Sequence, residues 1–269
     1  MIAVELVKLF RRPRTWVTIA LLNALPVLVA VLLALTDLGP RPGEGPAFLS
    51  AVLTNGNLYP LAALAIVLPL FLPIAVAVVA GDSVAGEAQG GTLRYLLARP
   101  AGRTRLLVAK LVAAFVFVLV AVVVVAAVGY VTGSVLFGVA PTGTTTFSGT
   151  TLSSQQIVVR TLLAIGYVTF SMLGVAAFAL FFSTLTDSPL GATLGALAVL
   201  ITSSLLFTLD AASSIAPYLP TRYWLSYVDL FRDPILWRDI VRGVGLQAVY
   251  LVVLLGASWA NFTTKDVTS

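Results

Sequence analysis

The polarity of the chain alternates over tens of residues, not over single turns. Apolar blocks at about 16–35, 59–80, 106–131, 157–182, 189–209 and 244–259 are separated by polar stretches containing Gly and Pro. A helix needs about 20 residues to cross ~30 Å of hydrocarbon. The blocks have roughly that length, and the third holds 18 uninterrupted apolar residues from Leu111 to Val128. The pattern predicts six transmembrane helices in a single transmembrane domain, an all-α integral membrane protein. Ahead of the first block, residues 2–14 place Ile2, Leu6, Leu9 and Phe10 on one helical face and Glu5, Lys8 and Arg12 on the other. An amphipathic interfacial helix is expected there, ending at Pro13. A secretory signal starts in the same way, but its apolar core is shorter and no small-residue cleavage site stands clearly after Leu35, which favours a retained span.

A few positions depart from plain apolar filling. Asn23 carries an amide that lipid leaves unsatisfied, so it is expected to face other helices. Pro69 and Pro73 stand four residues apart on one face, and each frees a backbone carbonyl, which predicts a bend. That bend reads equally as a substrate-facing kink and as ordinary membrane-helix proline. The pairs Gly129/Gly133 and Gly191/Gly195 have the spacing that lets helices approach closely. Ser188 and Pro189 read as the N-cap and first residue of the fifth span. Thr202, Ser203 and Ser204 form a mid-span hydroxyl cluster, either interhelical glue or part of a translocation pathway. Arg160, near the start of the fourth span, has the reach to snorkel to the interface.

Two connectors carry most of the remaining information. Segment 82–105 holds Asp82 and Glu87 where the second span would leave the membrane, then Gly90 and Gly91, then Leu93, Leu96 and Leu97 at i, i+3, i+4 on a short helix ended by Pro100. Arg94, Arg99, Arg103, Arg105 and Lys110 surround it. Arg105 and Lys110 read as headgroup anchors. Anchoring does not account for a separate apolar-faced turn between Gly-Gly and Pro, so the segment is expected to dock a soluble partner. Segment 210–243 is expected to form an external interfacial or re-entrant hairpin. Its aromatics, Tyr223 and Trp224 among them, should settle at headgroup depth. Asp233 and Pro234 read as the cap and start of a short helix bearing Trp237. Tyr223, Trp224, Asp233 and Trp237 are the candidate parts of an external gate.

Composition removes most other readings. Of 269 residues 59% are hydrophobic and 10% charged, well below the roughly 25% charged of soluble domains. The net charge of +5 comes from basic residues that flank apolar spans, so lipid headgroups account for it and no nucleic-acid partner is implied. With both termini inside, the inner segments hold ten basic residues and the outer ones six, which places segment 82–105 and the termini on the cytoplasmic side of the cell membrane. There is no Cys or His and no GxxxxGK[ST], so thiol chemistry, imidazole ligands and a P-loop are absent. No ionisable residue stands deep in a span, which weighs against a secondary transporter. Asp82 with Glu87 is the one acid pair in a plausible place for a hydrolase, and a cap or a salt bridge explains it as well. A transport subunit driven by a separate ATPase and a non-transporting assembly or scaffold protein are the readings left.

The whole chain resembles the permease subunits of type-two ABC transporters, of type V exporter architecture. Their signature E-x-x-x-G-T-L, followed by a leucine-rich turn, P and R, stands here as Glu87, Gly91, Thr92, Leu93, Leu96, Leu97, Pro100 and Arg103. Residues 2–14 look like the family's elbow helix, segment 210–243 like its external re-entrant helices, and Phe262, Lys265 and Asp266 like its usual ending. Gly90 beside Gly91, and Ala88 and Gln89 where the family often has charge, depart from the pattern. The resemblance implies an ATPase-docking coupling helix, with Arg94 and Arg99 beside those signature residues. It also implies a second permease subunit, as a homodimer or a related pair, and two cytoplasmic ATPase subunits that carry ATP and Mg. No cofactor is implied on this chain. Asn23, Pro69, Pro73 and Thr202 to Ser204 would line a pathway between protomers.

Overall fold

The computed structural model describes residues 1–36, 55–91, 102–138, 144–145 and 151–264. Among the described residues eight helices follow one another: α1 (Ile2–Arg11), α2 (Pro13–Leu35), α3 (Tyr59–Val67), α4 (Phe71–Gln89), α5 (Arg103–Phe137), α6 (Ser154–Leu185), α7 (Pro189–Phe207) and α8 (Trp237–Thr264). Short 3-10 turns at Gly56–Leu58, Asp210–Ala212, Ala216–Tyr218 and Trp224–Phe231 complete the helical part. Six of the helices, α2 and α4 to α8, are long and apolar enough to cross a membrane, which is the make-up of a multi-pass helical membrane protein. One departure from an all-α chain is a two-residue antiparallel pair, β1 (Thr144–Thr145) with β2 (Thr151–Leu152), in the connection between α5 and α6.

Local sequence explains several boundaries. Ser153 opens α6 with a capping box, its hydroxyl accepting from the Gln156 N–H while the Gln156 side chain accepts from the Ser153 N–H. Ser188 caps α7 by accepting from the Gly191 N–H, with Pro189 in the first turn where its missing N–H costs nothing. Gly91, at φ +66, turns the chain immediately after α4.

The expected second span, 59–80, is two helices. Pro69 and Pro73 remove two amide donors four residues apart, and the ladder gives way at residues 68–70 between α3 and α4. The prolines do not share a face: Pro69 is exposed in the break, whereas Pro73 is buried in the first turn of α4. α4 then continues to Gln89, so Asp82 and Glu87 lie within a helix and not in a connector. The last span also differs from the expected 244–259. Asp233 and Pro234 are joined by a cis peptide bond and do not open a helix; α8 starts at Trp237 and runs without a break, absorbing the expected short helix.

α6 is the central helix and packs on α4, α5, α7 and α8. Of its most apolar stretch 67% is buried, against 22% for α2 and for α8, which places those two at the periphery. One hydroxyl ties α6 to α4: Ser183 Oγ accepts from the Val84 and Ala85 N–H groups and donates to the Gly81 carbonyl at 2.6 Å. α5 meets α3 through small residues. A Cβ on Gly129 would stand 3.0 Å from that of Ala63, and one on Gly133 would enter the backbone of Gly56.

That approach sets an expectation. Gly133→Leu should force α3 away from α5 and cost at least the ~1–3 kcal/mol of an overpacked core. Gly256→Leu on α8, where an added Cβ meets nothing within 4 Å, should leave stability unchanged or slightly raised. Thermal unfolding of the two purified variants in detergent separates the cases.

Candidate functional site

Ion pairs draw four helices together at the end of the bundle where α1 lies. Glu87, 5% exposed near the end of α4, accepts through Oε1 from Lys8 Nζ of α1 at 2.5 Å and from Lys110 Nζ of α5 at 3.0 Å. Lys110, only 2% exposed, also stands 3.6 Å from Glu5 Oε2. Earlier on α4, Asp82 Oδ2 accepts from Arg12 at 2.8 Å and from Arg14, the two arginines that flank the start of α2. Thr15, just inside α2, donates to the Leu9 carbonyl and closes the corner between α1 and α2.

An ion moved from water into apolar surroundings loses several kcal/mol, recovered only by well-placed opposite charge and hydrogen bonds. Glu87 and Lys110 satisfy that condition jointly. Removing either leaves a charge where water reaches poorly. The ions border a cleft of about 590 Å³ whose walls include Leu9, Val79, Ala113 and Ala114. Every acid here is engaged with a cation, so the Asp82 and Glu87 pair serves as ion-pair partner and not as a free general base. Among the described residues no group of three Asp, Glu, His or Cys gathers to hold a metal.

Several expected site residues sit in other surroundings. Lys110 is a buried ion-pair partner and not a headgroup anchor, because α1 folds over it; Arg105 is exposed. Arg103 opens α5 and donates to the Phe262 and Thr263 carbonyls at the end of α8, where a cation meets the negative end of a helix. Thr92, Leu93, Arg94, Leu96, Leu97, Arg99 and Pro100 lie outside the described residues, as do Lys265 and Asp266. Asn23 donates to the Ile19 carbonyl of its own helix, and its Oδ1 is buried without a hydrogen-bond partner among the described residues.

The hydroxyl cluster of α7 divides. Thr202 and Ser204 are exposed, while Ser203 is buried and shares a 2.8 Å hydrogen bond with the Thr221 hydroxyl. Its partner belongs to segment 210–236, whose irregular backbone is held at its carbonyls by side chains from the helices. Tyr167 donates to Tyr223 O (2.6 Å), Gln247 to Pro220 O (2.7 Å), Tyr250 to Tyr218 O (2.7 Å) and Arg160 to Arg232 O (2.8 Å). In return Tyr227 donates to Leu61 O of α3 at 2.9 Å, and full burial pushes its phenol pKa well up.

Tyr223, Trp224 and Tyr227 are therefore packed inside the protein, while Trp237 is exposed at the start of α8. Arg160 is buried instead of snorkelling, and its guanidinium lies 3.8 Å from the Asp233 carboxylate. Arg232 pairs with Asp229, and Arg222 rests over the Phe207 ring at 4.4 Å.

The cluster of Glu5, Lys8, Asp82, Glu87 and Lys110 was not singled out by sequence reasoning. One signal does point to it: two of the few acids of this chain stand five positions apart at the end of an apolar stretch, and the amphipathic N-terminal stretch carries basic residues that could pair with them.

Residues 44–268 match the model of the family described as "Protein of unknown function (DUF2705)", and the chain belongs to that family. No curated protein matches the chain.

The buried pair gives a direct prediction. Lys110→Met should destabilise the protein by roughly 3–5 kcal/mol, since Glu87 and Glu5 lose their interior counter-ion. Adding Glu87→Leu should recover a large part, leaving Lys8 free to reach solvent. Denaturant unfolding of the single and double variants in mild detergent measures both.

Proposed function

We propose that this chain is the permease subunit of an ATP-driven exporter of the type-two ABC class, pairing with a second permease subunit and docking a separate cytoplasmic ATPase through segment 92–101. The observation that carries the reading is the way α4 ends. The helix extends to Gln89, Gly91 stops it at once, and the leucine-bearing segment follows directly. Glu87, the first residue of the signature, is fastened to α1 and α5, so force applied to the segment would reach three helices together. Arg103, at the signature's other end, fastens the start of α5 to the end of α8. A docking element needs such a rigid base if it is to pass motion to the spans.

In this reading α1 is the elbow helix, and segment 210–236 caps the external end of the pathway as part of the fixed bundle. Exposed apolar side chains along α2, α7 and α8, such as Leu28, Leu194 and Val252, support lateral contact with lipid and with a second protomer. ATP and Mg belong to the partner.

Two experiments test the proposal. The tagged chain, purified from its own cells in mild detergent, should carry P-loop ATPase activity. Leu96→Asp should insert normally but lose most of that activity, because it places an unpaired charge in an apolar docking cleft. A wild-type preparation without ATPase would favour a membrane scaffold instead. For orientation, the chain has no cysteine, so Ser213→Cys in the exposed part of the external segment should react with an impermeant thiol reagent applied outside intact cells. Arg11→Cys on α1 should react only after permeabilisation. The reverse pattern would invert the topology and remove the docking site from the cytoplasm.

A further inference from the structure

We propose that the cleft between α1 and α4 binds the phosphate headgroup of an anionic phospholipid. Its charges do not cancel. Among the described residues Lys8, Arg12, Arg14 and Lys110 face three carboxylates, those of Glu5, Asp82 and Glu87, which leaves one cation in excess. The imbalance is concentrated at the rim, where Arg12 and Arg14 both converge on the same oxygen of Asp82. Each reaches it through one terminal nitrogen, and a guanidinium carries five N–H donors in a planar fork suited to phosphate oxygens. Their side chains remain 36% and 52% exposed, so an incoming anion can reach them.

The rest of the lining selects the kind of phosphate. Besides the charged groups, the lining has an apolar part formed by Leu9, Val79, Ala113 and Ala114. Among the described residues the lining contains no aromatic ring on which a nucleobase would stack. A volume of about 590 Å³ accommodates a small headgroup with the first part of its acyl chains. α2 begins at this rim and is one of the six membrane-crossing helices, so the phosphate nearest the cleft is that of the bilayer itself. A cationic rim together with an apolar part of the lining is the complement of an anionic phospholipid. The inference stands on this geometry alone and does not depend on the chain being a transporter.

Asp82 competes with the ligand for both arginines, which predicts opposite effects from neighbouring substitutions. The test is lipid retention by the full-length protein in native mass spectrometry, with short-chain phosphatidylglycerol and phosphatidylcholine added separately. Wild-type protein should retain phosphatidylglycerol preferentially. Arg12→Gln with Arg14→Gln should reduce that retention more than about tenfold, following the loss of two basic contacts. Asp82→Asn alone should increase it, an outcome that a merely structural role for the arginines does not produce. If the double arginine variant fails to fold because Asp82 loses its partners, the triple variant with Asp82→Asn removes the orphaned acid and should again lack the preference. Equal retention of the two lipids, or weaker retention in Asp82→Asn, overturns the proposal. Inorganic phosphate displacing phosphatidylglycerol at equal concentration would assign the site to a soluble phosphate and overturn the lipid assignment.

Discussion

The structure depends on one buried ionic knot, Glu87 between Lys8 and Lys110. Where helices meet through apolar contact alone, they could slide or rotate against one another at modest cost, since lipid offers side chains nearly the same surroundings as a neighbouring helix. Charges remove that freedom. Glu87 holds Lys8 at 2.5 Å and Lys110 at 3.0 Å, and separating buried opposite charges is costly, so the register of α4 against α5 and the seat of α1 are fixed together. The Asp82 contacts with Arg12 and Arg14 repeat the device at the start of α2, closer to solvent and correspondingly weaker.

The opposite end is organised by another kind of bond. Segment 210–236 crosses the ends of the helices in short 3-10 turns that leave carbonyls without intrahelical donors. Tyr167, Gln247, Tyr250 and Arg160 supply the donors from the helices, and Tyr227 returns one to α3. Buried polar groups carry a large penalty when unpaired, so the whole set forms or fails as a unit. Between the two ends, a hydroxyl and small residues set the helix spacing: Ser183 of α6 against α4, and Gly129 and Gly133 of α5 against α3 and Gly56. Buried ion pairs secure the α1 end, and side-chain donors to backbone carbonyls, Arg160 among them, secure the far end.

The six crossing segments and the amphipathic start are legible in the sequence because both follow from runs of apolar residues, and composition alone sets them. Partner choice is not legible in the same way. Lys110 and Arg160 each look like a basic residue at a span edge, and the difference between reaching for headgroups and being buried lies in what folds over them: α1 for Lys110, segment 210–236 for Arg160. Pro69 and Pro73 predict a disturbance correctly, but whether two lost donors bend a helix or divide it depends on packing around residues 68–70. Asp233 before Pro234 has the residue types of a helix start, yet its carboxylate turns to Arg160 and the helix waits until Trp237. The aromatics at 223, 224 and 227 have the composition of an interfacial belt, but their side chains are buried in the bundle, the Tyr227 hydroxyl donating to α3.

These contacts join α1, α2, α4 and α5 at the end that precedes the leucine-bearing segment, and such coupling is what a membrane subunit moved by an external motor would require. It can be measured directly, since the chain has no native cysteine to interfere. Spin labels at Val4→Cys on α1 and Leu190→Cys on α7, both exposed positions, report the placement of α1 across the bundle in a pulsed dipolar experiment. One narrow distance distribution in the otherwise native protein, broadened when Glu87→Gln is added, is the predicted result. An identical distribution with and without Glu87→Gln would contradict it, because α1 would then be seated by its apolar face alone.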